Sequence, residues 1–454
     1  MLGLNAALSL ASQALQAQDG AISITSNNIA NVNTPGYSRQ VVNLSAAALI
    51  QNGTGVDSGV TFGGYTSVRD QLLAIRINGK TAQQASLSSQ SASLTVINSA
   101  FSGTDTGIGA ALSNFFSNVS SLSTNPADSS ARQSVLSSAT QLANAFHQGA
   151  SALLSTQTAA DAQVTSSVAQ INTLTAQIAS LNGQLSSVQA SGGQGGALQD
   201  QRDQLTGQLA ALSGVAVTQT DDQPTLTTGN GTPLVVGDHA FKLQVSSTTT
   251  SLGRVLDANG KDITSTLTTG TLGGTLTTRD NTVPGLLSQL NGLASQFASA
   301  VNIAQAGGYD QTGSVGQPMF SVSGSNASAT IAAAFSSASG IAASADGSLN
   351  SSGNLIKLLA VQTSSLPSGA TPIDAYASLV AVVGSSASNT STSLSATGLA
   401  LQQLETQQAS TSGVSVDEES SNLIRYQQAY SAAAHVISTV NSLFSVVMNM
   451  GTGA

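Results

Sequence analysis

The chain has 454 residues, which at roughly 150 residues per domain makes about three domains, and its 40% hydrophobic content is enough to build real cores. Only 7% of residues are charged, against roughly 25% in an ordinary soluble domain, so Ser, Thr, Asn, Gln and Gly must carry the surface. A net charge of -9 with 12 scattered Lys and Arg supplies no cationic face for nucleic acid, and the absence of cysteine excludes a disulfide framework, a thiolate nucleophile and Cys-ligated zinc.

A mean hydropathy of +0.13 argues against disorder driven by charge. No uninterrupted apolar run approaches the roughly 18 residues that span a bilayer, so no membrane association is expected. The opening MLGLNAALSL carries no base, and none occurs before Arg39, so the basic start of a cleavable secretory signal is missing. Composition therefore predicts a cytosolic chain, or one exported without signal cleavage.

Leu8, Leu15, Ile22 and Ile29 fall seven apart, and Leu4, Ala11, Gln18 and Thr25 complete a 3,4 spacing, which predicts an N-terminal helix with a half-soft seam. It should stop near Asn31 to Thr34, because Pro35-Gly36 is a turn signal and the residue before proline avoids helical geometry. Tyr37 to Leu44 reads as extended or loop. From about Gln71 to Gly214 the pattern is helical. Asn125-Pro126 opens one helix carrying Val135, Leu142 and Phe146. Val164, Ile171, Ile178 and Leu185 then form a strict heptad row over residues 157 to 190. SGGQGG, residues 191 to 196, breaks that helix before a further one with Leu198, Leu205, Leu209 and Leu212.

From Val215 to about Arg279 short β-branched runs are punctuated by Asp, Asn and Gly, as in a small β-rich domain. Helix resumes at Val283 to Ala306. A Gly/Ser-rich stretch over 307 to 350 suits hairpins or loops, and helices follow at Leu355 to Val361 and Pro372 to Gln408. The last segment has the strongest stripe: Val416, Leu423, Tyr430, Ile437 and Phe444 seven apart, with Tyr426, Ala433, Val440 and Val447 between them. Ser415 suits its N-cap with Glu418 three residues on, and Asp417, Glu418 and Glu419 sit where the helix dipole favours negative charge.

Catalytic signatures are missing. His147, His239 and His435 are far apart, and neither HExxH nor GxSxG occurs. His435 falls off the apolar positions of the last helix. The acidic pair Asp221-Asp222 suits a turn. The string Ala74 to Thr81 (AIRINGKT) approximates a phosphate loop, but Ala74 replaces its first glycine and the surroundings read as helix. GNGTPLVVG, residues 229 to 237, reads as a hairpin turn. No cofactor and no metal site is expected.

Residues 26 to 37, SNNIANVNTPGY, resemble the N-terminal signature of bacterial flagellar rod, hook and hook-associated proteins, carried here by Asn27, Asn28, Ala30, Asn31, Asn33, Thr34, Pro35, Gly36 and Tyr37. The following Ser38-Arg39-Gln40 is similar to the hook-associated protein 1 family. So are Gln199 to Leu205 (QDQRDQL), GNGTPLVVGDHAFKL, GTLGGTLTTRDNTVPGLLSQLNGLASQFASAVN and VDEESSNLIRYQQAYSAAAHVISTVNSLFSVVMNM. Residues 240 to 270 and 307 to 400 are less distinctive. VNIAQAGGYD lacks the His that the family usually carries ahead of this turn.

The resemblance implies a structural subunit at the hook-filament junction, with no catalysis. It implies export through the flagellar type III apparatus, an export chaperone, an extracellular location, a homo-oligomeric ring at the hook tip, and contacts with the hook protein and a second junction protein. The alternative is another axial protein, a hook or distal rod subunit.

Together these readings predict a mainly α fold, an elongated, nested α+β chain. Residues 1-60 and 413-454 would form a terminal coiled-coil domain. Residues 61-213, 281-306 and 351-412 would form a helical bundle, and 214-280, with or without 307-350, an inserted β-rich domain. The assembly seam would pair Leu4, Leu8, Leu15, Ile22 and Ile29 with Leu423, Tyr426, Tyr430, Ile437, Val440 and Phe444, gaining order from neighbouring subunits.

Overall fold

The computed structural model describes residues 2–51, 54–103, 107–220, 223–248 and 251–451; Asp221-Asp222 lies outside the described residues. In chain order the elements are α1 (Leu2–Ala30), β1 (Gln40–Gln51), β2 (Thr54–Ser67), α2 (Gln71–Phe101), α3 (Ile108–Thr124), α4 (Ser129–Ala190) and α5 (Gly196–Ser213). Strands β3 (Val215–Thr220), β4 (Gln223–Thr228), β5 (Pro233–Val236), β6 (His239–Ala240), β7 (Gln244–Thr248) and β8 (Ser251–Leu256) follow. Then come α6 (Gly270–Thr277), α7 (Val283–Ala306), β9 (Phe320–Ser321), α8 (Ala327–Thr330), β10 (Ala332–Ala333), α9 (Gly353–Ala360), α10 (Pro372–Ser412) and α11 (Val416–Gly451).

The chain divides into two compact units. One is drawn from Met1–Thr81, Ile171–Lys242 and Gly398–Ala454, the other from Ala82–Gln170 and Leu243–Thr397. In the first, α1 stops at Ala30 and the chain reverses at Thr34-Pro35-Gly36-Tyr37, where Tyr37 N donates to the Thr34 carbonyl at 3.2 Å. Pro35 presets the second position of this turn and Gly36, with φ of 80°, takes the left-handed third, as a type II turn requires. The segment read as extended is β1, which pairs antiparallel with β2 from Gln40↔Ser67 onward. This hairpin lies on α1, where a Cβ at Gly20 would meet the Phe62 ring at 2.8 Å. The meander β3-β4-β5-β6 completes the unit's sheets. Its β4–β5 turn holds Asn230-Gly231, and Asn182 Nδ2 of α4 donates to the Gly237 carbonyl at 2.6 Å.

The second unit holds the aromatic core. Phe115, Phe116 and Phe297 pack edge to face at centroid distances of 5.3, 5.9 and 6.2 Å, inside the preferred range for such pairs. Arg279, with 2% of its surface exposed, pins β8 to the helices: Nη1 donates to Asp161 at 2.7 Å and to the Gly253 carbonyl at 2.6 Å, and Nε to Asp280 at 2.8 Å. Arg132, also buried, donates to the carbonyls of Pro126 and Ile341 at 2.7 and 2.8 Å.

Several elements differ from their sequence pattern. The helices expected around residues 125 and 157 are one helix, α4, because no proline interrupts Ser129–Ala190 and Asp128 caps its start through Ser130 N at 2.8 Å. The strands expected as one inserted domain over 214-280 divide, β3 to β6 in the first unit and β7 and β8 in the second. Helix also begins at Gly270, ahead of the expected Val283. The Thr- and Gly-rich residues 270 to 277 have low helix propensity, but tertiary packing overrides it, since Gly274 lies directly against the backbone of Ser86. Between α6 and α7, Thr278–Thr282 is a π turn; Pro284 has no N–H to offer the Asp280 carbonyl, and the helix widens ahead of it.

A Cβ at Gly274 would lie 2.2 Å from the Ser86 carbonyl oxygen, whereas one at Gly285 meets nothing within 4 Å. Gly274→Ala is therefore expected to destabilise the second unit by about 1–3 kcal/mol through overpacking, and Gly285→Ala to stabilise it by about 0.5–1 kcal/mol through helix propensity. Urea unfolding of the two variants checks the opposite signs.

Candidate functional site

The terminal helices meet at a polar clamp. On α1, Ala17, Ala21, Ile24 and Asn28 are buried at 4,3,4 spacing and so lie on one face. Asn28 ends that face. Its Nδ2 donates to the Gln40 carbonyl at 2.8 Å and to Glu419 Oε2 at 3.1 Å, while its Oδ1 accepts from Gln40 N at 3.0 Å and from the Tyr37 hydroxyl at 2.8 Å. Glu419, 2% exposed, also receives Arg39 Nε at 2.8 Å, and Arg39 Nη2 reaches Glu418 at 2.7 Å. Arg39 N donates to the Ser412 carbonyl at 3.0 Å. The end of α1, the turn, the first residue of β1 and the first turn of α11 are thus one hydrogen-bonded joint.

A second node braces it. Asp200 on α5 accepts Ser38 N at 3.3 Å and Arg69 Nη2 at 2.6 Å, and Arg69 also bonds Asp203 and the Gly196 carbonyl. Burial pushes the Asp200 carboxyl above the ordinary carboxylate range, against the opposing pull of Arg69 and Ser38. Burial also works against the Arg39 guanidinium, but its bonds to Glu418 and Glu419 outweigh that and hold its pKa above the ordinary value. The Tyr37 hydroxyl is pushed up to about 12, first by burial and then by Asp200, Tyr65 and Glu419.

From the clamp α11 packs back along α1, so the pair is antiparallel. Leu4, Leu8, Leu15, Ile22 and Ile29 are half-buried, as are Leu423, Tyr426, Ile437 and Phe444; Val440 is buried and Tyr430 exposed. The deepest positions are instead Ala17 and Ala21, with Thr25, counted as soft in sequence, 2% exposed. The hairpin covers a further side of α1, and small residues let it and α11 approach closely. Heptad reading weights bulk and so misses these alanines.

The outer side of α11 stays apolar and uncovered: Ile424 is 56% exposed, Val436 47%, Leu443 48% and Val446 54%. By length and composition an 18-residue window within Pro372–Asn449, of mean hydropathy 1.4, is apolar enough to cross a bilayer, and 6% of it is buried.

Among the other motif residues, Asn31 Nδ2 bonds back to the Asn27 carbonyl at 2.9 Å and Thr34 Oγ1 to Asn31 Oδ1 at 3.2 Å, so they build the turn, while Ala30, Asn33, Pro35 and Gly36 are exposed. Ser415 Oγ lies 3.5 Å from Glu418 N, but the Glu418 carboxylate goes to Arg39 rather than back to the cap. The sequence reading missed Arg39, Arg69 and Asp200 and gave Glu419 only a dipole role. The available signal was the first base of the chain standing just after one terminal helix, with three acids opening the other.

The phosphate-loop-like Ala74 to Thr81 lies inside α2, where its N–H groups are spent on the helix. A cavity of about 360 Å³ beside the clamp is lined by residues including Ser38, Arg69, Ile75, Asp203 and Leu226. His435 and His239 are exposed and His147 half-buried, and among the described residues no group of three or more His, Asp or Glu is placed to hold a metal.

The flagellar hook-associated protein FlgK helical domain matches residues 94–320, half of the chain. The chain belongs to the FlgK family. Two further family models match its ends: the flagella basal body rod protein over residues 8–37, and the C-terminal part of the flagellar basal body rod FlgEFG proteins over 406–450. These are the two segments that the clamp joins. The FlgK-family chain is 28% identical to flagellar hook-associated protein 1 of Salmonella typhimurium, over 96% of this chain and 98% of that one. It is 27% identical to the Bacillus subtilis protein of that name, over 98% of both. The flagellar hook junction protein FlgK from Burkholderia pseudomallei has the same fold, with a TM-score of 0.68 at 19% identity, covering 74% of this chain and all of that one.

Asn28→Ala is expected to destabilise the first unit by about 1–3 kcal/mol for each buried partner left unpaired, and Asn28→Asp, of the same shape, by at least as much, because it faces Glu419 with a second acceptor. Urea unfolding compared with a Ser26→Ala control checks this. Because the folded Tyr37 pKa exceeds its ordinary value of 10.0, its stabilising effect is complete below pH 10 and is lost as pH rises through about 12. The stability gap between wild type and Tyr37→Phe should therefore shrink over that window, read by unfolding at stepped pH.

Proposed function

We propose that this chain is a structural subunit of the flagellar hook-filament junction, assembling as a ring through its terminal helix pair. The observation that carries this reading is the uncovered apolar side of α11 on a helix pair anchored at only one end by the clamp. Large contiguous apolar patches on soluble proteins mark interaction surfaces. Gln427, Gln428, His435 and Asn441 recur along α11, and such interruptions suit packing against other helices better than contact with lipid.

In this reading Leu423, Tyr426, Ile437, Val440 and Phe444 pair with Leu4, Leu8, Leu15, Ile22 and Ile29 within one subunit, Tyr430 lies at the seam's margin, and neighbouring subunits cover the outer side. The hook protein lies below the ring and the second junction protein above it. The chain reaches the cell exterior through the type III apparatus, uncleaved and escorted by an export chaperone. It works without a cofactor and catalyses no reaction. The residues 94–320 match supports this over a hook or distal rod subunit, which would share only the terminal segments.

Deleting the chain from a flagellated host should leave hooks without filaments and flagellin shed into the medium, seen by electron microscopy and by blotting the supernatant. A variant lacking residues 416–451 should give the same phenotype while its second unit keeps a cooperative melt. Normal filaments in the deletion strain would refute the assignment.

A further inference from the structure

Beyond the first turn of α11, where Asp417 faces the helix dipole, two charges on the terminal helix pair have no role in the clamp. Asp19 is the only charged residue of α1; it is exposed and, among the described residues, makes no hydrogen bond or ion pair. Arg425 is the only Lys or Arg of α11. It is exposed, its guanidinium lies 5.3 Å over the Tyr426 ring, and it donates to Asn422 Oδ1 at 2.9 Å, with no carboxylate partner among the described residues. Each lies in an outward line. Ser12, Gln16, Asp19 and Ser23 are exposed at 4,3,4 spacing on α1, and Arg425, Ala432, Val436 and Leu443 at 7,4,7 on α11.

We infer that Asp19 of one copy pairs with Arg425 of a second copy, laying the apolar outer line of α11 against the small, polar outer line of α1. This rests on the ring assembly proposed above. The occupant follows from charge complementarity: each copy offers one unpaired acid on one helix and one base without a carboxylate on the other, so a head-to-tail contact satisfies both and repeats around a ring. Height along the helices agrees. Asp19 is nine residues before Asn28 and Arg425 six after Glu419, so at 1.5 Å per residue they stand about 14 and about 9 Å from the clamp. A neighbour displaced along the axis by about 5 Å brings them level.

The pair sets register. Faces of Ser, Ala, Val and Leu can slide by a helical turn with little loss, whereas one charge pair selects a single stagger, as polar positions do in coiled coils. In a ring this stagger decides whether the next protein meets a level rim.

Charge exchange tests the pairing. Asp19→Arg or Arg425→Asp alone should cut the fraction of hooks bearing filaments about ten-fold or more, because like charges are then brought together, and the double exchange should restore it. Purified single variants should keep the wild-type circular dichroism. Because the chain has no cysteine, Asp19→Cys with Arg425→Cys supplies its only thiols. Mild oxidation of isolated hook preparations should then give a ladder of covalent multimers, and oxidation of dilute monomer should give none. If a reversed-charge variant loses helix, the cysteine pair decides alone. Wild-type filament numbers in both single exchanges, or oxidised hooks without a ladder, overturn the pairing and leave the junction assignment standing. Normal filaments in the deletion strain overturn both.

Discussion

Four hydrogen bonds on one buried amide, the Asn28 side chain, hold the terminal segments together. An amide is required because two donors must meet the Gln40 carbonyl and Glu419 while one oxygen accepts from Gln40 N and Tyr37. A carboxylate has no donor to give and an aliphatic group has neither. A buried network is stabilising only when every member is satisfied, and here Arg39 supplies the positive charge that lets the Glu419 carboxylate stay buried. The geometry then fixes where α11 starts on α1. An alanine-lined face cannot do this, because methyl contacts are not directional.

What the clamp leaves undone is as informative. It secures α11 at its first turn only, and the rest of the helix depends on half-buried contacts with α1 and the apolar outer face. Small residues at Ala17, Gly20 and Ala21 admit both the hairpin, with Phe62 over Gly20, and α11, so bulk is missing from the centre and present at the margins. The margins are what another helix can cover. A pair with a large apolar centre would be more self-sufficient and less suited to further packing.

Much of this was legible in sequence. Pro35-Gly36 marked the turn, Ser415 the start of α11, SGGQGG the end of α4, and the heptad rows the existence of both terminal helices. Local chemistry announces such features, since a turn or a cap is decided by residues adjacent in the chain. The clamp was not legible because its partners, Arg39 and Glu419, are 380 residues apart and each has an adequate local explanation. Periodicity likewise undervalued Ala17 and Ala21, which bury little area each and yet set the distance between elements. The β-branched runs identified strands, but pairing assigns strands to units: β6 and β7 are separated by three residues and belong to different ones.

Scarcity gives each charge its meaning. Where a quarter of the surface is charged, a lone Asp and a lone Arg find partners anywhere and specify nothing. Here the basic residues act as pins: Arg39 on the first turn of α11, Arg69 on α5, Arg132 on two carbonyls and Arg279 on β8. Between these pins long helices present Ser, Thr, Gln and Ala, which pack side by side without stripping water from charged pairs, a costly step in a low-dielectric contact. Sparse charge thus serves two ends that usually conflict. The helix surfaces stay adhesive to one another, and the few ionic contacts that remain are selective enough to fix how those surfaces align.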